Sequence, residues 1–264
     1  MRVVTGDGVE LAVDVWPGSD VPFLLVHGLA SNARLWDGVA SELAGRGHAV
    51  AAVDQRGHGR SSKPDTGYDF PTVVADLLAV IEALGWERPV AVGQSWGGNV
   101  VVELAVAHPD AVRAIATVDG GVREMRARIP DWDDCARLLA PPPLEGVPFV
   151  EIDAAVRKRH PDWPVTGIEG TLANFEVRDD GTVAPWLTRE RHMQILRHLW
   201  ELPVSERLPL LQVPALFILA QGDDVHARPD VQVPVGDVRW LRGDHDLHAQ
   251  HPHEVAELLA GFAA

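Results

Sequence analysis

Apolar runs without polar alternation constrain this chain more than any other feature. Residues 21–26 (broken only by Pro22), 49–53, 90–92 and 114–118 end at His27, Asp54, Gly93 and Asp119. A strand with one face in water alternates apolar and polar side chains, whereas a strand buried on both faces of a parallel sheet has no need to. Helical stretches lie between them. Residues 69–84 place Val73, Val74, Leu77, Leu78, Ile81 and Leu84 at three- and four-residue spacing, with Gly85 as the stop, and 99–107 run up to His108-Pro109. Strands alternating with helices predict right-handed crossovers and an α/β fold with a mostly parallel twisted sheet. Before them, residues 2–5 and 9–15 flank Gly6-Asp7-Gly8 as a hairpin.

The alternation stops near residue 121 and resumes near 206, with strands expected at 215–220 and 238–241 and a closing helix at 254–262. The interval holds nine of the twenty prolines and four of the nine tryptophans, Trp132, Trp163, Trp186 and Trp200. It reads as a largely helical cap, 121–205, inserted into a core formed by 1–120 and 206–264, and covering the carboxyl ends of the strands where such sheets bind ligands. Trp132, Trp163, Trp186 and Trp200, with Leu138, Leu139, Phe149 and Phe175, predict an apolar, aromatic-lined pocket. Arg178, Arg189, Arg191 and His192 are candidates for a polar contact there.

Composition removes several classes. At 264 residues, 46% hydrophobic and 23% charged, the chain is neither disordered nor fibrous. A formal net charge of −15 repels phosphate backbones and anionic lipid, so neither nucleic acid nor membrane is an expected partner. A lone Cys135, an amino terminus without a signal-like apolar core and no run of about 18 apolar residues predict a cytoplasmic protein. The expected partner is a small-molecule substrate, met by a monomer or a homodimer.

Gly93-Gln94-Ser95-Trp96-Gly97 is the chief chemical signal. It follows a buried strand and opens a helix, the setting in which a turn crowds the backbone around a serine, demands residues without Cβ two positions to either side, and leaves the hydroxyl exposed. The helix amino terminus offers N–H groups to a developing anion. A phosphate-binding turn would need the lysine of a P-loop or a third dinucleotide-loop glycine, and both are missing.

A serine hydroxyl needs a base and an acid. His245, in Gly243-Asp244-His245-Asp246, falls on a loop at the carboxyl edge of the sheet. His248, His251 and His253 follow it and are expected to be solvated; their spacing matches no closed tetrahedral metal set, so neither metal nor cofactor is expected. For the acid, Asp223 and Asp224 follow one strand and Asp119 ends another.

Together His27-Gly28, residues 54–61 (Asp-Gln-Arg-Gly-His-Gly-Arg-Ser), the turn at 93–98 and the terminal His245 resemble the α/β-hydrolase family, in its capped esterase and lactonase branch, over nearly the whole chain. The resemblance implies Ser95 as nucleophile and His245 as base. Counting from Pro214, with Ala220 standing where the family has glycine, it implies Asp223 as acid ahead of Asp224, with Asp119 kept because some relatives take the acid from the earlier strand. It implies an oxyanion hole from the Leu29 and Trp96 N–H groups, and a structural role for 54–61. Dehalogenases and epoxide hydrolases share the tryptophan after the nucleophile but carry aspartate in place of Ser95, which directs this chain toward acyl transfer. The expectation is a cofactor-independent serine hydrolase of a mainly apolar ester or lactone, with a same-fold lyase, C–C hydrolase or perhydrolase, or a receptor with a retained triad, as alternatives.

Overall fold

The computed structural model describes residues 1–221 and 233–263. Its strands are β1 (Arg2–Val4), β2 (Glu10–Trp16), β3 (Asp20–Val26), β4 (His48–Val53), β5 (Val90–Gln94), β6 (Ala114–Val118), β7 (Phe175–Val177), β8 (Val183–Pro185), β9 (Ala215–Gln221) and β10 (Asp237–Arg242). Eight of them form one sheet in the order β1-β2-β4-β3-β5-β6-β9-β10. β1 and β2 are antiparallel additions at one edge, and from β4 to β10 every pairing is parallel. The unbroken apolar runs thus do what their pattern demands: every residue of β5 and β6 is buried.

Helices cover both faces. The apolar spacing predicts α2 (Phe70–Leu84) and α3 (Trp96–Ala107) but not α1 (Asp37–Gly45). α2 shows why its residues form a helix. The Asp69 carboxylate accepts the Thr72 N–H at 3.0 Å as an N-cap. Its stripe of Val73, Val74, Leu77, Val80 and Ile81 is buried, and Gly85 ends it in the left-handed region at φ 64°. α3 starts at Trp96, three residues before the apolar spacing becomes visible.

Between β6 and β9 no strand joins the main sheet among the described residues. That stretch carries α4 (Met125–Arg128), α5 (Trp132–Leu138), α6 (Phe149–Arg159), α7 (Val165–Leu172), α8 (Arg189–Glu201) and α9 (Val204–Arg207), with β7 and β8 as a small hairpin. α10 (Leu247–Gln250) and α11 (Pro252–Ala263) close the described chain. One apolar cluster packs α2 and α3 on one face of the sheet; another packs α1 and α11 on the opposite face.

Three of the interval's four tryptophans are taken up in packing, one of them against residues outside the interval. Trp200 packs with Cys135, Leu196 and Trp132, and Trp163 with Leu35, Ile168 and Ala249. No helix of the described residues is long and apolar enough to cross a membrane.

Candidate active site

Ser95 sits between β5 and α3 at φ 51°, ψ −119°, a conformation sparsely populated for any residue with a Cβ. Such a backbone costs of order 1–3 kcal/mol and persists only where its surroundings over-determine it. The surroundings do. A Cβ at Gly93 would stand 2.0 Å from the Gly97 carbonyl oxygen, so strand and helix meet too closely for any side chain there. The Ser95 N–H donates to the Val118 carbonyl at 3.0 Å, stitching the turn to the end of β6.

Immediately past that point is Asp119, itself at φ 43°. Its Oδ2 lies 2.6 Å from His245 Nδ1, while its Oδ1 accepts the Ala220 N–H at 3.2 Å and an Arg123 N–H at 3.4 Å. Among the described residues the carboxylate that meets His245 Nδ1 is Asp119, the alternative taken from the earlier strand. Asp223 and Asp224 lie outside the described residues. Asp119 reaches the histidine because β6 is adjacent to β5 and the turn after β6 places a 5% exposed carboxylate beside the histidine loop. Burial alone would push Asp119 up, but the His245 hydrogen bond, the charges of His245 and Arg123 and the Ala220 N–H outweigh it, holding the carboxyl below its usual value. Partial desolvation likewise opposes a charged His245, whose side chain is 52% exposed. The Asp119 hydrogen bond and the charges of Asp246 and Asp119 prevail, and raise the imidazole above its ordinary value.

The loop carrying Leu29 is braced by two buried histidines. His27 Nδ1 is 2.7 Å from the Gly28 carbonyl and its Nε2 accepts the Gln55 N–H at 3.0 Å, which assigns the proton to Nδ1. His58 Nδ1 is 3.0 Å from the Arg56 carbonyl, so its Nε2 is free to accept the Ala30 N–H at 3.3 Å, and its ring stacks on Trp96. Burial holds both imidazoles below their ordinary value, so they brace the loop as neutral groups. The Leu29 and Trp96 N–H groups bond to no backbone acceptor among the described residues, and Trp96, first in its helix, has none within α3.

Segment 54–61 ties loops together, as its resemblance implies. Asp54 accepts the Ala33 N–H at 2.7 Å and Arg60 Nε at 2.8 Å. Arg56 grips Asp76 at 2.6 Å through two nitrogens and Asp7 at 3.0 Å.

Ser95, Asp119 and His245 line one cavity of about 310 Å³, at the small end of the range for small-molecule sites. Leu29, Trp96, Met125, Leu139, Leu196 and Leu199 supply its apolar wall. Of the aromatic-lined pocket expected from the insert, only Leu139 lies here; Trp132, Trp163 and Trp200 are spent on packing, and Trp186 lies beneath Lys63 Nζ. Of the four basic candidates, His192 lines the cavity, whereas Arg178 pairs with Glu145 and Arg191 with Asp65. Asn99, Arg123 and Arg128 also line it, and sequence reasoning does not single them out. Asn99 carries a readable signal, being one helical turn past the nucleophile. His248, expected in water, is fully buried against Trp36 with ring centroids 4.3 Å apart. His253 is exposed and pairs with Glu42 at 3.0 Å.

The model of the alpha/beta hydrolase fold family matches residues 21–158. Over 236 residues the chain is 38% identical to the non-heme chloroperoxidase of Streptomyces lividans, covering 84% of this chain and 82% of that protein. It is 39% identical over 121 residues to epoxide hydrolase A of Mycobacterium tuberculosis, a match over 44% of this chain and only 37% of that relative. Among solved structures, E-2-(acetamidomethylene)succinate hydrolase superposes with a TM-score of 0.78 over 99% of this chain and 97% of that one, at 23% identity, a likeness of fold.

Proposed function

The chain belongs to the α/β-hydrolase fold family, and from that premise we propose that it is a cofactor-independent serine hydrolase of ester, lactone or related acyl bonds. One observation carries the reading: Ser95, on its strained turn, shares a cavity with a histidine whose far nitrogen is held by a buried carboxylate. In this reading His245 Nε2 takes the Ser95 proton as the oxygen attacks the substrate carbonyl. Asp119 holds Nδ1–H and stabilises the imidazolium that forms. The Leu29 and Trp96 N–H groups receive the oxyanion, each such donor typically lowering the barrier by about 3 kcal/mol. The imidazolium protonates the leaving alcohol. Water, deprotonated by His245, then releases the acid and restores Ser95. A serine nucleophile suits acyl transfer, and the mainly apolar wall suits an uncharged acyl chain of modest length.

A series of p-nitrophenyl esters from acetate to octanoate tests this reading. Turnover that peaks at short or medium chains is expected. Failure to hydrolyse every member, with folded protein that takes no fluorophosphonate, would overturn it.

The identity to a protein named non-heme chloroperoxidase favours a second reading of the same site. Hydrogen peroxide in place of water would attack the acyl-enzyme and release a peracid, which oxidises halide in solution. Bromination that requires both a carboxylic acid and peroxide, and vanishes with Ser95→Ala, would establish that reading.

A further inference from the structure

We propose that Gln94 is a positioning residue that holds the nucleophile turn, the histidine loop and the oxyanion loop in one register. The inference rests on the serine-hydrolase reading above. Gln94 is the last residue of β5, directly before Ser95, and is 2% exposed. Its Nε2 donates to Asp246 Oδ1 at 3.1 Å and lies 3.3 Å from the His245 carbonyl oxygen. The residue before the nucleophile is thus hydrogen-bonded to the residue after the base. At its other end, Oε1 packs against the loop after β3: a Cβ on Gly28 would come within 2.3 Å of it. Gly28 immediately precedes Leu29, so one amide touches all three catalytic segments.

The tether matters because it acts on the loop's backbone at the base itself, the His245 carbonyl, and on the next residue, Asp246. Among the described residues the loop's backbone is further joined to the sheet by a long bond, 3.4 Å, from the Gly243 N–H to the Gln221 carbonyl. Asp119 fixes the imidazole ring, but Gln94 fixes the peptide that carries it. Amide chemistry fits the task. A glutamate of the same length would face the Asp246 carboxylate without a proton to share, and a methionine would fill the space with no donor. Misplacing a reacting group by about 1 Å can cost on the order of 100-fold in rate, so a loosened loop should appear in kcat.

Steady-state kinetics on a p-nitrophenyl ester, with wild type, Gln94→Glu, Asp246→Asn and the double variant, tests the inference. Gln94→Glu is expected to lower kcat about 100-fold while KM stays within about threefold. Asp246→Asn keeps an acceptor for Gln94 and is expected to stay within about fivefold of wild type. Its acid limb should move to lower pH, because one negative charge beside His245 is gone. Around that ring Asp119 remains, with Arg123 opposing a positive charge; Asp244 and His160 face Asp246 itself, and the buried His248 nearby is held neutral. In the double variant the amide introduced at position 246 can donate to the carboxylate introduced at position 94, which restores the bond with its polarity reversed. There kcat is expected to recover about tenfold or more over Gln94→Glu. A Gln94→Glu enzyme within about threefold of wild type, or a double variant no faster than Gln94→Glu, would overturn the inference. Should circular dichroism show Gln94→Glu unfolded, Gln94→Met carries the same expectation for kcat. Fluorophosphonate labelling separates the two levels. Wild type unlabelled at Ser95 defeats the serine-hydrolase reading, whereas wild type labelled with unimpaired Gln94 variants defeats this inference alone.

Discussion

At the scale of single residues, the proposed catalysis turns on where protons sit. His245 must be neutral to accept the Ser95 proton, and its value is raised above that of an ordinary histidine. Protonation therefore silences the base at low pH: kcat/KM should rise with pH through a value above 6.5 and level off beyond it. Replacing Asp119 with Asn removes the charge, and with it the charge-assisted hydrogen bond, that raise it, so the acid limb should shift to lower pH while kcat falls by about 10³–10⁴-fold. A pH–rate profile of both proteins measures these effects together. Ser95→Ala should abolish acyl-enzyme formation and leave only the slow residual rate that binding and the oxyanion donors supply.

Elements set the precision with which those residues meet. A methyl group at Gly120 would lie 2.1 Å from the Ser95 carbonyl oxygen, so Gly120→Ala should push the nucleophile turn and the acid apart. Phosphonate labelling of that variant is expected to slow by about 100-fold. Arg56→Met would leave the buried Asp76 without its partner, and denaturant unfolding should report a loss of about 3–5 kcal/mol. Much of this level is legible in the residues themselves. Buried strands announce themselves by unbroken apolar runs, and Ser95 by the glycines that its turn requires. His245 is found from its place between the last strand and the last helix. The acid is harder, because Asp119 and Asp223 both follow buried strands and chain order does not say which reaches Nδ1. The Gly120-Gly121 pair after Asp119 is a usable sign, since both a left-handed backbone and close approach to Ser95 occur there. The bridge from Gln94 to Asp246 spans 152 positions and leaves no local pattern to read. The tryptophans mislead for a related reason: large apolar side chains mark burial, and burial inside a helical insert looks the same in one dimension as burial against a ligand.

For the whole molecule, a net charge of −15 surrounds a small, mainly apolar cavity. Long-range repulsion should slow the approach of anionic substrates and leave neutral ones alone. Raising ionic strength shortens the Debye length from about 30 Å at 0.01 M to about 8 Å at 0.15 M. Accordingly, kcat/KM for an anionic aryl ester should rise with added salt, while that for a neutral ester of similar size stays flat. Equal salt responses would show that the overall charge does not govern access. Sheet, turn and loops converge on a single claim, that Ser95 attacks with His245 and Asp119 behind it. Fluorophosphonate labelling followed by peptide mapping by mass spectrometry tests that claim most directly. One adduct is expected, on Ser95, forming far more slowly in Asp119→Asn; an adduct elsewhere, none at all, or an undiminished rate in that variant would contradict it.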